Sequence, residues 1–111
     1  MYRQGELVVV PVPFTDLSAI KRRPVLIISS NEYNLFRDDI IVVAVTSNLT
    51  QTGISLTSSD LVQGDLPKPS VIRSDKIYTL NQDIVVKRVG SVTDEVMHTV
   101  RAEIVKLIGR D

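Results

Sequence analysis

The amino-acid sequence predicts a mainly β protein, a small β-barrel with one amphipathic α-helix near the C-terminal end of the chain. Two observations support this prediction. Short runs rich in Val and Ile, separated by turn signals, continue up to Val89, and from Val92 onward apolar residues recur at helical spacing. β-branched residues suit a pleated, half-buried strand, whereas a spacing of three or four residues places apolar side chains on one side of a helix.

Six apolar runs have the length and composition of β-strands. Pro11, Pro13 and Pro24 are expected at strand ends, because proline has no N–H to donate to a neighbouring strand. Turns are expected at 51–53 and 63–65, where a glycine accompanies polar residues. Short strands separated in this way are typical of a barrel or sandwich. The expected strands are Glu6–Val12, Val25–Ser29, Asp39–Val45, Ile54–Leu56, Val71–Arg73 and Ile84–Val89.

The C-terminal segment has the pattern of a helix with one apolar face. Ser91 and Asp94 resemble a capping box in which Asp replaces the usual Glu, and Gly109 is expected to end the helix. One short additional helix is predicted at Asn31–Phe36. The apolar face of the C-terminal helix is formed by Val96, Val100, Ile104, Leu107 and Ile108.

Composition sets limits on function. The 111 residues, 43% of them hydrophobic, suit a single domain over 1–111. There is no cysteine and only one histidine, His98, which is expected to face solvent, so neither a metal site nor a cofactor is predicted. No apolar stretch has the length of a membrane span or a signal peptide, so a cytoplasmic protein is expected. The net charge at pH 7 is zero, so phosphate binding requires a local cluster of cations.

The first candidate cluster is Lys21-Arg22-Arg23-Pro24. Three adjacent cations in a loop form a local phosphate site in a chain whose net charge is zero, and guanidinium groups fork onto phosphate oxygens. Pro24 restricts the backbone directly after Arg23, which favours a fixed position for that side chain. A solvated run of charges is the simpler interpretation of this cluster taken alone.

The second candidate cluster is Thr46-Ser47-Asn48, at the end of the most hydrophobic predicted strand. Hydroxyl and amide groups at a strand end can hydrogen-bond a phosphate or a ribose. These residue types also favour turns, so an ordinary strand-to-turn exit is the simpler explanation of the tripeptide by itself.

The third candidate cluster is Ser70–Lys76, in which Arg73 and Asp75 lie on the same face if the segment is extended. A carboxylate beside a guanidinium can act as a base next to a phosphate clamp. In RNA the 2′-hydroxyl, once it loses its proton, attacks the adjacent phosphorus. A surface ion pair of little energetic value is the alternative. The three tyrosines are expected to pack half-buried rather than to stack on bases.

In this order the three clusters resemble the MazF/PemK toxins of type II toxin–antitoxin modules, over nearly the whole chain. The matching segments are Gly5–Val8, Pro13–Leu17, Lys21–Ser29, Val43–Ser47, Ser70–Leu80 and Gly90. The resemblance implies an SH3-like, MazF-type barrel that forms a homodimer. It implies metal-independent, sequence-specific cleavage of single-stranded RNA to 2′,3′-cyclic phosphate and 5′-hydroxyl ends, which inhibits translation and growth. It also implies a cognate antitoxin that covers the RNA groove.

The resemblance also implies roles for individual residues. Arg23 and Thr46 are expected to hold the scissile phosphate, Asp75 to take the proton of the 2′-hydroxyl, and Arg73 to stabilise the transition state. No metal and no cofactor are implied. Further RNA contacts are expected from Lys21, Arg22, Ser47, Asn48, Ser70 and Lys76.

One feature departs from the PemK branch, whose histidine in the loop after the first strand is absent here, where Leu17 and Ser18 stand. An inactive toxin that serves as a non-catalytic RNA-binding or protein-interaction module is therefore the main alternative. A gyrase-directed toxin of the CcdB type is disfavoured, because the chain lacks tryptophan and the Trp-Gly-Ile ending. A purely structural barrel is compatible with the neutral charge but leaves the three clusters unexplained.

Overall fold

The structure is a computed structural model that describes residues 1–13 and 20–110. The strands are β1 (Glu6–Pro13), β2 (Ile20–Ile27), β3 (Asp39–Thr46), β4 (Ile54–Leu56), β5 (Leu61–Gly64), β6 (Ser70–Asn81) and β7 (Lys87–Val92). The helices are α1 (Asn31–Phe36) and α2 (Asp94–Leu107), and short 3₁₀ turns occupy Ser58–Asp60 and Gln82–Ile84. The residues at 14–19, which include Leu17 and Ser18 at the place of the PemK-branch histidine, lie outside the described residues, as does most of the Pro13–Leu17 motif.

The seven strands form one antiparallel sheet in the order β4-β6-β3-β2-β1-β7-β5. The sheet curls into a half-barrel with β4 and β5 at its edges. The predictions of a mainly β fold, a C-terminal helix and one short helix at Asn31–Phe36 are confirmed. Helix α1 begins where Ser30 caps it, because the Ser30 hydroxyl accepts a hydrogen bond of 3.1 Å from the Tyr33 N–H.

Both faces of the sheet bury apolar side chains, because successive residues of a strand point to opposite faces. This explains why β3 reads as an almost unbroken apolar run rather than as an alternating one. The cluster on the face covered by α2 contains Leu7, Leu26, Val43, Val45, Leu56, Ile72, Val92, Val96, Met97 and Val100. The cluster on the other face contains Val8, Val10, Val25, Ile27, Ile40 and Val42.

The cap of helix α2 lies two residues later than predicted. Ser91 lies in β7, so its assignment to a capping box was wrong. The cap is Thr93, whose Oγ1 accepts a hydrogen bond of 3.2 Å from the Val96 N–H. Val96 and Val100 are buried as predicted. The predicted apolar face does not stay buried to its end, since Leu107 is 52% exposed and Ile108 is 72% exposed.

Pro24 was expected at a strand end, and the cations at 21–23 were expected in a loop before the strand. Both expectations were wrong, because β2 begins at Ile20 and Pro24 lies inside it, opposite Val9 of β1. The pairing of β2 with β3 starts only at Val25, so the N–H that proline lacks is not needed by β3. Pro11 likewise lies inside β1, opposite Arg22. These prolines therefore sit where the ladder is open on one side.

The last part of the sheet differs most from the prediction. The segment predicted as a strand at Ile84–Val89 instead starts in a 3₁₀ turn, and β7 runs from Lys87 to Val92. The expected turn at 63–65 contains the end of β5, a strand that the sequence did not predict. Gly64 and Gly90 face each other where β5 pairs with β7, and a Cβ on either would clash with the backbone of the other strand. Within the described ranges, no helix is long and apolar enough to cross a membrane.

Candidate active site

The site is organised by a large bulge in β6. Ala44 of β3 pairs with Arg73, whereas the preceding residue, Val43, pairs with Ile77. The three residues at 74–76 therefore have no partner on β3, and β6 bends away from the ladder there. Of the three bulge residues, Asp75 and Lys76 are exposed and Ser74 is partly buried. In a regular strand, the residues at 74–76 would instead be paired with β3.

Arg73 and Asp75 form a bidentate ion pair on this bulge. Arg73 Nε donates to Asp75 Oδ1 and Arg73 Nη2 donates to Asp75 Oδ2, both at 3.0 Å. The third guanidinium nitrogen, Nη1, donates to Oε1 of Gln51. The Arg73 side chain is 18% exposed and that of Asp75 is 50% exposed. The expectation that these two residues share a face is thus met, in a bulge rather than in a regular strand.

The ion pair shifts both pKa values away from neutrality. The hydrogen bonds from Arg73 lower the pKa of the Asp75 carboxyl, and the Arg73 charge adds to this effect. The hydrogen bonds to Asp75 raise the pKa of the Arg73 guanidinium. At neutral pH the carboxyl is ionised and the guanidinium holds its proton tightly. Asp75 is therefore in the charge state that a base requires, but its basicity is held low by Arg73.

A groove of about 440 Å³ brings the first two sequence clusters together. β2 and β3 are neighbours in the sheet. Arg23 lies in the part of β2 that is not paired with β3, beside Thr46 at the end of β3. Gln51 lies in the same groove and reaches Arg73 from it. The polar and aromatic residues of the groove are Arg23, Thr46, Ser47, Asn48, Gln51 and Tyr78.

The end of β3 is held by side-chain hydrogen bonds of the type that stabilise turns. Thr46 Oγ1 accepts a hydrogen bond of 3.1 Å from the Asn48 N–H. Asn48 Oδ1 in turn accepts from the N–H and the hydroxyl of Thr50, at 3.1 and 2.7 Å. Thr46 acts as an acceptor in its bond, so its hydroxyl proton can still be donated to an oxygen in the groove. The turn thus fixes the position of the Thr46 hydroxyl.

The four predicted catalytic residues do not all line one cavity. Arg73 and Asp75 border a neighbouring depression of about 310 Å³, between the turn at 52–53 and helix α2. Arg23 and Thr46 line the groove described above. The hydrogen bond from Arg73 to Gln51 connects the two cavities.

The predicted RNA-contacting residues occupy different environments. Ser47, Asn48, Lys21, Arg22 and Lys76 are exposed. Ser70 is buried, and its hydroxyl donates to the Lys68 carbonyl at 3.0 Å. The Ser70 hydroxyl is thus already engaged within the chain. A direct contact of Ser70 with RNA stays a prediction.

Two residues of the site were not assigned by the sequence analysis. Gln51 was interpreted only as part of a turn, and nothing in its local sequence indicates a contact with a residue on β6. Tyr78 was expected to be packing, but it is 45% exposed and lines the groove with Arg23 and Thr46. The one signal in the sequence for a role of Tyr78 in the site was its position two residues after Lys76, a predicted RNA contact. His98 is exposed, as predicted, and among the described residues no three of His, Asp and Glu converge to hold a metal ion.

The curled antiparallel sheet, the C-terminal helix and the groove lined by Arg23, Thr46 and Tyr78 define the fold and the candidate site, and comparison with known proteins gives the family. The chain matches the family model of the PemK-like, MazF-like toxin of type II toxin–antitoxin systems over residues 3–108. Endoribonuclease MazF6 of Mycobacterium tuberculosis is 37% identical over 82 residues, which make up 72% of this chain and 72% of that protein. Endoribonuclease MazF2 of Mycobacterium bovis matches equally well, at 37% identity over 82 residues.

Solved structures share the fold. A mycobacterial endoribonuclease in complex with its cognate antitoxin superposes with a TM-score of 0.76 at 21% identity, covering 99% of this chain and 95% of that one. The MazE–MazF structure from Deinococcus radiodurans gives a TM-score of 0.77 at 19% identity, covering 99% and 97%. This protein belongs to the PemK-like, MazF-like family of type II toxins.

Proposed function

We propose that this protein is a sequence-specific endoribonuclease that cleaves single-stranded RNA in the cytoplasm without a metal ion and thereby inhibits translation. The observation that carries the proposal is the ion pair of Arg73 and Asp75, joined through Gln51 to the groove that holds Arg23 and Thr46. The endoribonuclease names of the relatives at 37% identity support the same reaction class. Arg23 and Arg73 supply the positive charge that the transferring phosphoryl group requires.

The proposed reaction is a transesterification within the RNA. Asp75 takes the proton of the 2′-hydroxyl, and the 2′-oxygen forms a bond to the adjacent phosphorus. The bond between phosphorus and the 5′-oxygen then breaks, which leaves a 2′,3′-cyclic phosphate. Because the pKa of Arg73 is raised, we assign it the stabilisation of the phosphoryl charge, and the leaving 5′-oxygen takes its proton from water.

Substrate binding resolves the low basicity of Asp75. A phosphate that enters beside Arg73 competes with Asp75 for the guanidinium, because a phosphodiester accepts the same forked hydrogen bonds. Loss of those bonds raises the pKa of Asp75 toward its ordinary value, so the carboxylate becomes a better base when RNA is bound. The hydrogen bond from Arg73 Nη1 to Gln51 uses a different nitrogen from those that bind Asp75, so this exchange does not require it to break.

We further propose a homodimer and a cognate antitoxin as partners. The mycobacterial structure with this fold contains an endoribonuclease with its cognate antitoxin. The separation of Arg23 and Thr46 from Arg73 and Asp75 into two cavities is compatible with a groove that a second copy extends.

The test is a cleavage assay with the purified protein, free of antitoxin, on a long RNA of mixed sequence in EDTA. Arg73→Ala is the catalytic variant, and Arg101→Ala on the exposed part of α2 removes the same charge away from the site. Discrete cuts with cyclic-phosphate ends, retained by Arg101→Ala and lost by Arg73→Ala, are expected. Intact RNA at high protein concentration, or full activity of Arg73→Ala, would contradict the proposal.

A non-catalytic RNA-binding module is the second candidate. It is favoured by one observation, that Asp75 is fully engaged by Arg73 and lies outside the groove that holds Arg23. A module of this kind binds RNA through phosphate contacts that weaken with salt, but it leaves the RNA uncut. The EDTA assay, read for both binding and cleavage, distinguishes the two candidates.

A further inference from the structure

A second feature of the surface continues from the groove and has no role in the reaction proposed above. A depression of about 300 Å³ shares Arg23, Pro24 and Ser47 with the groove and adds Arg22 and Lys68. A third depression, of about 440 Å³, shares Pro24 with the second and reaches Lys87. Leu66 and Pro67 lie in both and join them. The surface from Arg22 through Lys68 to Lys87 is called the cationic track below.

The strand order explains why the track is continuous. Lys87 of β7 and Pro24 of β2 are both paired with Val9 of β1, one from each side. Directly opposed residues of adjacent strands point to the same face of a sheet. Lys87, Val9 and Pro24 therefore form one row across three strands, and this row leads from the third depression to the edge of the groove.

The charges of the track are available to a ligand. Arg22, Lys68 and Lys87 are exposed, and in the part of the chain that the structure describes none of them has an ion-pair partner. Asp65 borders the third depression and leaves one negative charge there, because the hydrogen bond of 2.8 Å that its Oδ1 accepts from the neutral Ser58 hydroxyl does not cancel it; the three cations outnumber this single carboxylate. Arg88 also borders the third depression, but it is engaged by Glu6 and is not counted in the track.

The lining of the track indicates what kind of contact it makes. Tyr78 lines the groove, whereas among the residues that the structure describes no aromatic side chain lines either further depression. Without a ring on which a base can stack, the available interactions are charge contacts to phosphates and van der Waals contact with Leu66 and Pro67. Phosphate contacts position a nucleic acid and carry no sequence information. The track is therefore suited to a backbone rather than to particular bases.

We propose that the cationic track binds the phosphate backbone of the RNA that flanks the cleavage site. This proposal rests on the proposed ribonuclease function, because it takes the bound polymer to be the substrate. RNA is favoured as the occupant because the track is continuous with the groove and presents separate cations along an open path. The cationic track increases the affinity of the protein for long RNA substrates without changing which sequence is cut.

The experiment compares a long RNA with a short RNA that spans only the cleavage site. The double variant Lys68→Gln/Lys87→Gln removes two charges of the track, and Arg101→Gln on α2 is the control for loss of a surface charge. Binding is measured over a series of salt concentrations in the Arg73→Ala background, so that no RNA is cut. Cleavage of the short RNA is measured separately with Arg73 intact.

For the long RNA, the double variant is expected to reduce the salt dependence by about 1.4 in the slope of log K against log salt, the value for two contacts to a single strand. This corresponds to a roughly 25-fold loss of affinity near 0.1 M salt. Cleavage of the short RNA and the cleaved sequence are expected to stay unchanged, and Arg101→Gln is expected to behave as wild type.

Three other outcomes would be decisive. An unchanged slope and affinity for long RNA in the double variant would overturn the track. Loss of binding to polyglutamate with no loss of RNA binding would identify an acidic-peptide site instead, and would also overturn it. If the wild-type protein binds long RNA through the track but does not cut the short RNA, the proposed ribonuclease function fails, whereas backbone binding by the track stands.

Discussion

Arg73 donates two parallel hydrogen bonds to Asp75, from Nε to Oδ1 and from Nη2 to Oδ2, each 3.0 Å long. These two hydrogen bonds have opposite consequences for catalysis. It keeps the carboxylate ionised, and it also makes that carboxylate a weak base by lowering its pKa. In the proposed mechanism the substrate phosphate releases the carboxylate by competing for Arg73.

Removal of Arg73 should raise the pKa of the Asp75 carboxyl toward its ordinary value of 3.8, because the hydrogen bonds that lower it are lost. The measurement is an NMR titration of the Asp75 carboxyl in wild type and in Arg73→Ala. The folded-state pKa is depressed, so the stabilisation by the pair is present above the unfolded pKa and is lost as pH falls through the folded value. It should be small, since the pair is exposed. Identical titrations in the two proteins would contradict this account.

Replacement of Arg73 by lysine should lower kcat by about a hundredfold, although the charge is kept. A lysine ammonium cannot form a planar fork to two oxygens, so the transition-state charge is less well stabilised. The readout is kcat at saturating RNA, with Arg101→Lys as the matched control. Wild-type kcat in Arg73→Lys would show that only the charge matters.

Gln51 is expected to be a positioning residue for Arg73. Gln51→Ala removes the acceptor of the third guanidinium nitrogen, and a misplaced catalytic group costs roughly tenfold to a hundredfold in rate. The loss should appear in kcat with little change in KM, because Gln51 acts through Arg73. Gln51→Glu keeps an acceptor oxygen and should recover part of the rate. A structural role in the turn alone would give no such recovery.

Gly53 is expected to be essential for the turn that carries Gln51. A Cβ at this position would clash with the Ile72 carbonyl oxygen and the Val71 side chain, where β4 begins to pair with β6. Gly53→Ala should therefore destabilise the fold by about 1–3 kcal/mol, as overpacking does. Urea unfolding measures the change, and Thr52→Ala, in the exposed neighbouring position, should stay within about 0.5 kcal/mol of wild type.

Leu56 anchors the short edge strand β4 in the apolar cluster under α2, and it is fully buried. Leu56→Ala should lower the free energy of unfolding by about 2–5 kcal/mol, since it removes buried methyl groups and leaves a cavity. Leu49→Ala is the control, because Leu49 is 61% exposed and should change stability by less than about 0.5 kcal/mol. Equal effects of the two substitutions would be inconsistent with this packing.

Much of the candidate site follows from the chain of residues alone. The run of three cations, the hydroxyl residues at a strand end and the spacing of Arg73 and Asp75 are local features. Each depends on a few neighbouring residues, so each could be predicted without knowledge of the rest of the chain. The same holds for α1, a single short helix whose start is fixed by the cap at Ser30.

Apart from the cap of α2, the main errors fall where pairing between distant segments overrides the local pattern. Pro24 lies inside β2 because β3 does not need an N–H there, and that depends on a register between distant segments. β5 forms from a sequence that resembles a turn because Gly64 and Gly90 let two strands approach closely. A local pattern contains no information about either partner.

The sequence by itself determined the fold class and the two helices, and it predicted which residues could bind and cleave RNA, because periodicity and residue type act over short distances. Only the tertiary structure decided that β6 bulges at 74–76, that Gln51 reaches Arg73, and that Arg23 and Thr46 share a groove without Asp75. The physical reason is that strand register is set by pairing between residues far apart in the chain, and the site is built from that register.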